Sequence, residues 1–449
     1  MRDLYRRFTV GYRRLFSLSE IEEQPILQWM FGASLFYFFI TFNHWIELPN
    51  ITVEAARNGT AVCWPYFQKC TDLYFLHTVP HGYSQQTIYM IFYGMMAYIV
   101  FCMWRQQWVR AHALMFILFL WKVLVLGILT YTVAGPYDYY HLILTAVLLL
   151  AAHKEYFLKV SFVFMYFMSA TIKFSPAWVL GTYFTALKDG LPIVPDALIV
   201  VATNIVIFGQ IVEGWFLLSK NMILQRIAFV YAAFFHLYSG IFVTYAYPSV
   251  ALLPVLILFG PLYRYTPTPF TKKAVVGWAV IAGVAFFQLL GFVVSPDRFL
   301  TLEGHRYGMF MFEANHQCRY TTKFHSSGAA VDSEWHGMQC EGMYCLTDTS
   351  IYSDNDGAVY SRTVESASAW NRCDPYEIWY RAKAHCAAPG MKRIELQFDH
   401  SINGGPFYRI VDEASICELD YKPFSHNDWI KTPPEAPLAG YARRNSYQY

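Results

Sequence analysis

The first two thirds of the chain alternate between long apolar segments and short polar connections. A helix that crosses a membrane needs about 20 mostly apolar residues, and nine segments approach or reach that length. Their predicted limits are 25–43, 87–104, 111–131, 139–152, 155–172, 195–218, 227–245, 249–263 and 274–294. The segments 139–152 and 249–263 are short, so tilted, re-entrant or protein-buried helices remain open for these two.

From residue 296 onward the pattern becomes polar, and "SPDRF" (295–299) marks the change. Short alternating runs such as "RIELQF" and "FYRIV" predict strands of an α+β domain. We therefore expect a multi-pass α-helical membrane domain of about nine helices, followed by an extracytoplasmic α+β domain. The predicted parts are a basic N-terminus (1–24), the membrane domain (25–295, first external loop 44–86), the extracytoplasmic domain (296–430) and a flexible tail (431–449).

Composition agrees with a membrane protein. Of the 449 residues, 55% are hydrophobic and 15% are charged, against about 25% charged residues in an average soluble protein. The net charge of +2 gives no reason to expect a nucleic-acid partner. The lipid bilayer is the partner that composition indicates.

Lysine and arginine predict the orientation of the helices, because they concentrate in cytoplasmic connections. Five arginines precede the first helix, and the even-numbered connections are richer in basic residues than the odd-numbered ones. This places the N-terminus in the cytoplasm. Nine crossings then place 296–449 in the lumen of the endoplasmic reticulum if the organism is eukaryotic, or in the periplasm, outside the inner membrane, if it is bacterial.

Cysteine positions point to the same orientation. Cys102 lies within an apolar segment, and the other eight fall on the predicted external side: Cys63, Cys70, Cys318, Cys340, Cys345, Cys373, Cys386 and Cys417. Disulfides persist in such oxidising compartments, and an even count allows up to four bonds of unreadable connectivity. Sequons at Asn50 and Asn58 predict a glycoprotein if the organism glycosylates.

Ionisable residues inside membrane segments are costly and therefore candidates for function. Lys122 and Glu213 could pair with each other. Each of the other three residues also has a purely structural interpretation. His236 fits a core histidine and His141 fits an interfacial residue. Lys173 fits a boundary lysine whose ammonium group reaches water. The predicted depths nevertheless place Lys173, His141 and His236 in the outer half of the helix bundle, His236 about 12 Å below the surface. A desolvated lysine there would favour the neutral amine, which can act as a base.

The segment "YFMSATIKFSPAWVLG" (166–181) resembles the vitamin K-dependent γ-glutamyl carboxylases and the bacterial proteins that share their transmembrane domain. The matching positions are Tyr166, Phe167, Lys173, Trp178, Val179 and Gly181. Further similar stretches follow in the same order. "FFHLYSGIFVTYAYPS" (234–249) contains His236, "YYHLIL" (139–144) contains His141, and the external domain contributes "RIELQFDHSING" (393–404) and "ELDYKPFSHNDWI" (418–430).

The resemblance implies the chemistry and the site residues. Lys173 would be the general base toward vitamin K hydroquinone, with O2 and CO2 as co-substrates and no metal. His236 and His141 would orient the quinone or stabilise an oxyanion, and Tyr166, Trp178 and Lys122 are assigned to cofactor binding. In 304–318, Tyr307, Met311 and His316 would bind a glutamate substrate, although this segment lacks the family's tryptophan. The family's tether between the first external loop and the external domain would be a bond from Cys386 to Cys63 or Cys70.

The expected substrate is a glutamate-containing secreted protein or peptide, and a quinone reductase that recycles the epoxide is a further expected partner. Two other classes of function stay open. One is a related oxidoreductase that epoxidises a quinone and modifies another substrate or none. The other is a non-enzymatic scaffold, transporter or maturation factor. His77 with His81 and Cys340 with Cys345 fit surface histidines and disulfides better than a metal site.

Overall fold

Each predicted apolar segment corresponds to a helix in the computed structural model. The structure describes residues 2–44, 62–70, 83–129, 131, 136–185, 190–243, 246–295, 297–310, 314–326, 345–354, 357–367 and 373–432. Two amphipathic helices, Arg2–Leu15 and Leu18–Glu23, come first. The helices of the apolar segments are Pro25–His44, Tyr83–Trp104, Trp108–Leu124, Pro136–Leu150, Lys154–Ala170, Asp196–Ile211, Met222–Phe242, Ala246–Phe259 and Val275–Val293.

Within the described residues, four stretches of helix are long and apolar enough to cross a membrane: Trp108–Ile128, Asp196–Leu218, Met222–Phe242 and Lys272–Val293. Three shorter apolar helices are Pro25–Thr41, Met90–Trp104 and Pro248–Phe259. Large apolar side chains such as Val230, Phe234 and Ile241 are exposed on these helices, as lipid contact would require. The protein is therefore a candidate membrane protein with several spanning helices, and the full count of nine crossings stays a prediction.

Several helices end in tighter or wider turns that the apolar pattern did not predict. A π-helical turn, Val125–Leu129, follows the helix Trp108–Leu124. A 3-10 turn, Thr171–Lys173, ends the helix that begins at Lys154, and another, Glu213–Leu218, follows Asp196–Ile211. Turns of these kinds satisfy backbone groups at helix ends and are frequent at functional sites.

The chain forms two compact units. Unit 1 contains Met1–Thr171 and Ile207–Phe287, and unit 2 contains Ile172–Val206 and Gln288–Tyr449. The segment that carries Lys173 therefore belongs to the same unit as the polar C-terminal region. The boundary predicted at 295–296 separates the membrane domain from the external domain, which is a different division from that into compact units. This boundary stays a prediction.

Unit 2 contains a five-stranded antiparallel sheet in the order β2-β3-β1-β4-β5. The strands are β1 (His316–Ser326), β2 (Cys345–Asp354), β3 (Gly357–Ala367), β4 (Met391–Ile402) and β5 (Tyr408–Glu413). The strands predicted from "RIELQF" and "FYRIV" are confirmed within β4 and β5. Ile394, Leu396 and Phe398 alternate along β4 and are fully buried, which is the period-two pattern of a strand with one core face. The short helices of this unit are Pro176–Val179, Thr182–Thr185, Arg298–Thr301 and Pro375–Ala384.

The part of the chain that the structure describes contains three disulfides, and they correct one prediction. Cys63 bonds Cys70, Cys318 bonds Cys373 and Cys386 bonds Cys417, so the expected bond from Cys386 to the first external loop is wrong. Cys63 and Cys70 are seven residues apart with Cα atoms at 5.5 Å, a separation that suits a local bond. Cys340, both sequons, His77, His81 and residues 433–449 of the tail lie outside the described residues.

Candidate functional site

Lys173 lies over the face of Trp178. It is the last residue of the 3-10 turn Thr171–Lys173, and only 8% of its surface is exposed. Its Nζ lies 5.3 Å from the centroid of the Trp178 ring, within the range of a cation–π interaction. The turn that ends the apolar helix thus places a nearly buried amine over an aromatic ring.

A short helix holds Trp178 in place beneath the amine. Ser175 begins the helix Pro176–Val179, and its hydroxyl accepts a hydrogen bond from the backbone N–H of Trp178. Gly181 then turns the chain at a φ of +70°, where an added Cβ would lie 3.0 Å from Ile199. Glycine is favoured at such a position because it adopts a positive φ without steric strain.

The Trp178 ring connects the segment that carries Lys173 (172–185, the lysine segment) to the sheet of unit 2. Trp178 stacks on Tyr183 with ring centroids 5.6 Å apart. The carbonyl of Tyr183 accepts a hydrogen bond of 2.7 Å from the side chain of Asn315, one residue before β1. Asn315 also pairs with Asn403, through Asn403 N to Asn315 O at 2.8 Å and Asn315 N to Asn403 Oδ1 at 3.0 Å. The lysine segment is therefore fastened to the ends of β1 and β4.

In unit 1, Tyr166 and His236 lie together. Both side chains have no exposed surface, and their ring centroids are 5.6 Å apart. Gly214 allows this packing, because an added Cβ there would lie 3.2 Å from the Tyr166 ring. The structure therefore brings together two of the residues that the resemblance selected.

A second buried group in unit 1 joins Lys122, Asp138 and His141. Lys122 Nζ lies 3.0 Å from Asp138 Oδ1 and 2.8 Å from His141 Nδ1, and none of the three is more than 5% exposed. The expected pairing of Lys122 with Glu213 is thus wrong. Asp138 takes that place because it lies in the first turn of the helix Pro136–Leu150, three residues before His141 and on the same helix face.

Aromatic side chains surround His141. The Phe38 ring is 4.4 Å away and the Tyr37 ring 5.7 Å, centroid to centroid, both in edge-to-face contact. Tyr37 is 1% exposed, and its hydroxyl has no hydrogen-bond partner among the described residues. His141, expected near the interface, is therefore a core residue of this unit.

The predicted substrate-binding residues are only partly described. The Tyr307 hydroxyl donates to the carbonyl of Pro423 at 2.7 Å, and its ring contacts Phe424, so this side chain packs the fold. His316 begins β1 and lies with Nδ1 3.1 Å from Nε2 of His400. Met311 lies outside the described residues. Of the two described residues, Tyr307 contacts Pro423 and Phe424 whereas His316 contacts His400, so they have no partner in common among these contacts.

Sequence reasoning missed several polar residues at these positions. Asp138, Tyr37 and His400 are buried partners of predicted residues, and Asn315 and Asn403 fasten the lysine segment. The spacing of Asp138 from His141 was a readable signal, whereas the Asn315–Asn403 pair joins residues far apart in sequence. Within the part of the chain that the structure describes, no three His, Cys, Asp or Glu side chains are grouped as metal ligands would be.

Comparison with protein-family models, with curated proteins and with solved structures found no match for this chain.

Proposed function

We propose that this protein is a membrane carboxylase that uses vitamin K hydroquinone, O2 and CO2 to convert glutamate to γ-carboxyglutamate in secreted proteins or peptides. The observation that carries the proposal is the nearly buried amine of Lys173 over the face of Trp178. The resemblance of 166–181 to the carboxylases supplies the identity of the reaction.

Lys173 is suited to act as a base. Its neutral amine would accept the proton of a hydroquinone hydroxyl at Nζ, and the ring face of Trp178 would stabilise the ammonium that results. Ser175 and the stacked Tyr183 hold that ring in a fixed position. When bound, the hydroquinone supplies, through its reaction with O2, the strongly basic chemistry that the γ-carbon of glutamate requires.

The buried polar atoms of unit 1 fit a lipid-soluble molecule that carries oxygen acceptors. The buried hydroxyl of Tyr37 has no hydrogen-bond partner among the described residues, and its ring lies against that of His141. Such groups are stabilised when a bound molecule or an ordered water supplies the missing partner. The residues present are therefore compatible with a quinone.

The proposed topology has nine crossings, a cytoplasmic N-terminus and an external region from 296 onward. All three disulfides support it, because their cysteines fall on the side predicted to be oxidising, while Cys102 within a helix is free and buried. On this proposal the peptide substrate meets unit 2 in the lumen or periplasm.

The test is incorporation of labelled CO2 into a glutamate-containing peptide by the purified full chain, with reduced vitamin K and O2. We expect incorporation by the unchanged protein. A general base contributes about 10²–10⁴-fold to rate, so Lys173→Ala should lose roughly that much. Lys173→Arg should be equally inactive, because arginine keeps the cation over Trp178 and cannot give up its proton.

Lys159→Met is the matched control, since Lys159 is also buried and is paired with Glu155 at 2.7 Å. Epoxide formation that depends on Lys173 but occurs without CO2 incorporation would replace the carboxylase by a quinone-epoxidising oxidoreductase. If neither product forms, or if Lys173→Ala keeps full activity, the proposal is wrong and a non-enzymatic role is favoured.

A further inference from the structure

Glu213 is an intramembrane carboxyl with no role in the proposed reaction. It lies within the candidate membrane span Asp196–Leu218, in the 3-10 turn that follows the helix Asp196–Ile211. A charged side chain at such a position is costly and marks an ion or proton pathway in many membrane proteins. The sequence suggested Lys122 as its partner, but Lys122 pairs with Asp138. The charge of Glu213 therefore needs another partner.

Two helices pack against the turn that carries Glu213, and neither supplies a counter-ion. They are Lys154–Ala170 and Met222–Phe242. Their basic side chains are bound elsewhere: Lys154 to the carbonyl of Ala151, Lys159 to Glu155, and Arg226 to the carbonyl of Gly260. Among the described residues, the Glu213 carboxyl has no ion pair and no hydrogen bond. A carboxylate in this position would be stabilised by a bound cation.

Gln210 places further polar atoms beside this carboxyl. Its side chain is 1% exposed, and neither the amide oxygen nor the amide nitrogen has a hydrogen-bond partner among the described residues. Gln210 precedes Glu213 by three residues, and residues three apart share a face in both α-helical and 3-10 geometry. Side chains tilt toward the N-terminus of their helix, so Glu213 is directed back over the turn that contains Gln210.

The facing helix Met222–Phe242 adds a hydroxyl. Tyr231 lies against the backbone of Gly209, where an added Cβ would overlap with the tyrosine ring and its hydroxyl, so this close approach requires glycine. Gly209 is four residues before Glu213 and on the same helix face, and Tyr231 interacts electrostatically with Glu213. Two helices of unit 1 thus contribute three oxygen-bearing side chains to the point at which the α-helix changes to a 3-10 turn.

The chemistry of these side chains suits a small monovalent metal cation. Carboxylate, amide and phenol oxygens are hard ligands, which bind hard cations. One carboxylate balances one positive charge, whereas a divalent ion would leave a net charge in apolar surroundings. The C-terminal end of the helix Asp196–Ile211 adds the partial negative charge of its last carbonyls, and such ends bind Na+ where membrane helices are interrupted.

We propose that Gln210, Glu213 and Tyr231 form a binding site within the membrane for a small monovalent metal cation such as Na+. Glu213 supplies the negative charge, and the amide oxygen of Gln210 and the hydroxyl oxygen of Tyr231 are neutral ligands. The site uses none of the residues assigned to the reaction of Lys173, so its test does not depend on the proposed function. A proton bound to Glu213 is the competing occupant.

The occupant of Glu213 is tested with dicyclohexylcarbodiimide, an apolar reagent that modifies protonated carboxyls, on the purified full chain at fixed pH. We expect modification of Glu213 in choline chloride, and a titration with Na+ should slow it by about 10-fold at about ten times the Kd. Glu155, which is paired with Lys159 and Arg264, is the internal control and should stay unmodified. Modification that responds to pH but not to Na+ would assign a proton to Glu213 and overturn the proposal.

Variants identify the ligands of the cation. Gln210→Leu and Tyr231→Phe should raise the Na+ concentration that protects Glu213 by roughly 3- to 10-fold, as for one lost polar contact. Tyr238→Phe, on the same helix as Tyr231, should not change it. Binding of radioactive Na+ is the second measurement, with about one ion expected per unchanged chain and none in Glu213→Gln. Unchanged protection in Gln210→Leu, or retained binding in Glu213→Gln, would overturn the site.

Discussion

The histidine pair of unit 2 shows how a single buried contact fixes protonation. His400 has no exposed surface; its Nδ1–H donates to the carbonyl of Leu300 at 2.5 Å, so its Nε2 accepts from Nδ1 of His316. Burial, together with the neighbouring His316, lowers the pKa of His400 to about 3, although the Leu300 carbonyl opposes the shift. His400 therefore stays neutral in the folded protein at every physiological pH.

This pKa predicts a loss of stability in mild acid. The unfolded chain binds a proton at His400 near pH 6.5, and the folded chain does so only near pH 3. Stability is therefore unaffected above pH 7 and falls between about pH 6.5 and 3, by about 1.4 kcal/mol from pH 7.5 to 5.5. Thermal unfolding of the full chain at those two pH values should show a smaller difference in His400→Gln. An equal difference in both proteins would contradict the prediction.

At the scale of residues, the sequence identified the ionisable groups better than their partners. Lys122, His141 and Lys173 could be identified because an ionisable residue within an apolar run is visible in the sequence. All three are buried, as a functional role would require. The partner of Lys122 was misassigned, since depth alone does not determine which helices are adjacent. The contacts of His141 with Tyr37 and Phe38 depend on how two separate helices pack. Residue spacing along the sequence does not show such contacts.

At the scale of elements, the disulfide loop 62–70 supports the π-turn that follows Lys122. The indole N–H of Trp64 donates to the carbonyl of Leu126 at 2.6 Å, and the hydroxyl of Tyr66 donates to that of Gly127 at 2.5 Å. The backbone N–H of Tyr131 donates to Val62 at 2.9 Å. The loop thus binds carbonyls that a regular helix would satisfy internally.

Removal of the Cys63–Cys70 bond should therefore loosen the end of the helix that carries Lys122. A bond that closes so short a loop contributes roughly 2–3 kcal/mol, so Cys63→Ser/Cys70→Ser should lower the midpoint of thermal unfolding. It should also broaden the ¹⁵N signals of His141. Cys386→Ser/Cys417→Ser is the control, because that bond belongs to unit 2 and its loss should leave the His141 signals unchanged. Equal effects of both double variants would contradict this role of the loop.

Helices and strands were predictable wherever burial imposes a period. All nine apolar segments are helical, and β4 contains the predicted run of alternating residues, because each pattern reflects one continuous environment. The π-turn Val125–Leu129 was not predicted, since the carbonyl partners that stabilise it come from loop 62–70. The disulfide pairs were not readable for the same reason, because they depend on which turns approach each other.

At the scale of the whole molecule, the lysine segment and the C-terminal region share a compact unit. Residues 172–206 fold with 288–449, and Asn315 bonds both Tyr183 and Asn403 within that unit. No sequence pattern predicted this association, because the two regions are separated by three apolar helices. It makes the position of Lys173 depend on the fold of the polar region.

The nine-crossing topology makes the last prediction, which concerns the side of the membrane on which each region lies. Fused after residue 432, alkaline phosphatase should be active in a bacterial host and green fluorescent protein dark, since the first requires the periplasm and the second the cytoplasm. Fused after residue 268, a position that follows eight segments and is flanked by Arg264, Lys272 and Lys273, the reporters should behave in the opposite way. Fluorescence from the fusion after 432 would mean an even number of crossings, with the disulfides of unit 2 on the reducing side. The short helices Pro136–Leu150 and Ala246–Phe259 would then be the first to reassign as helices that do not cross.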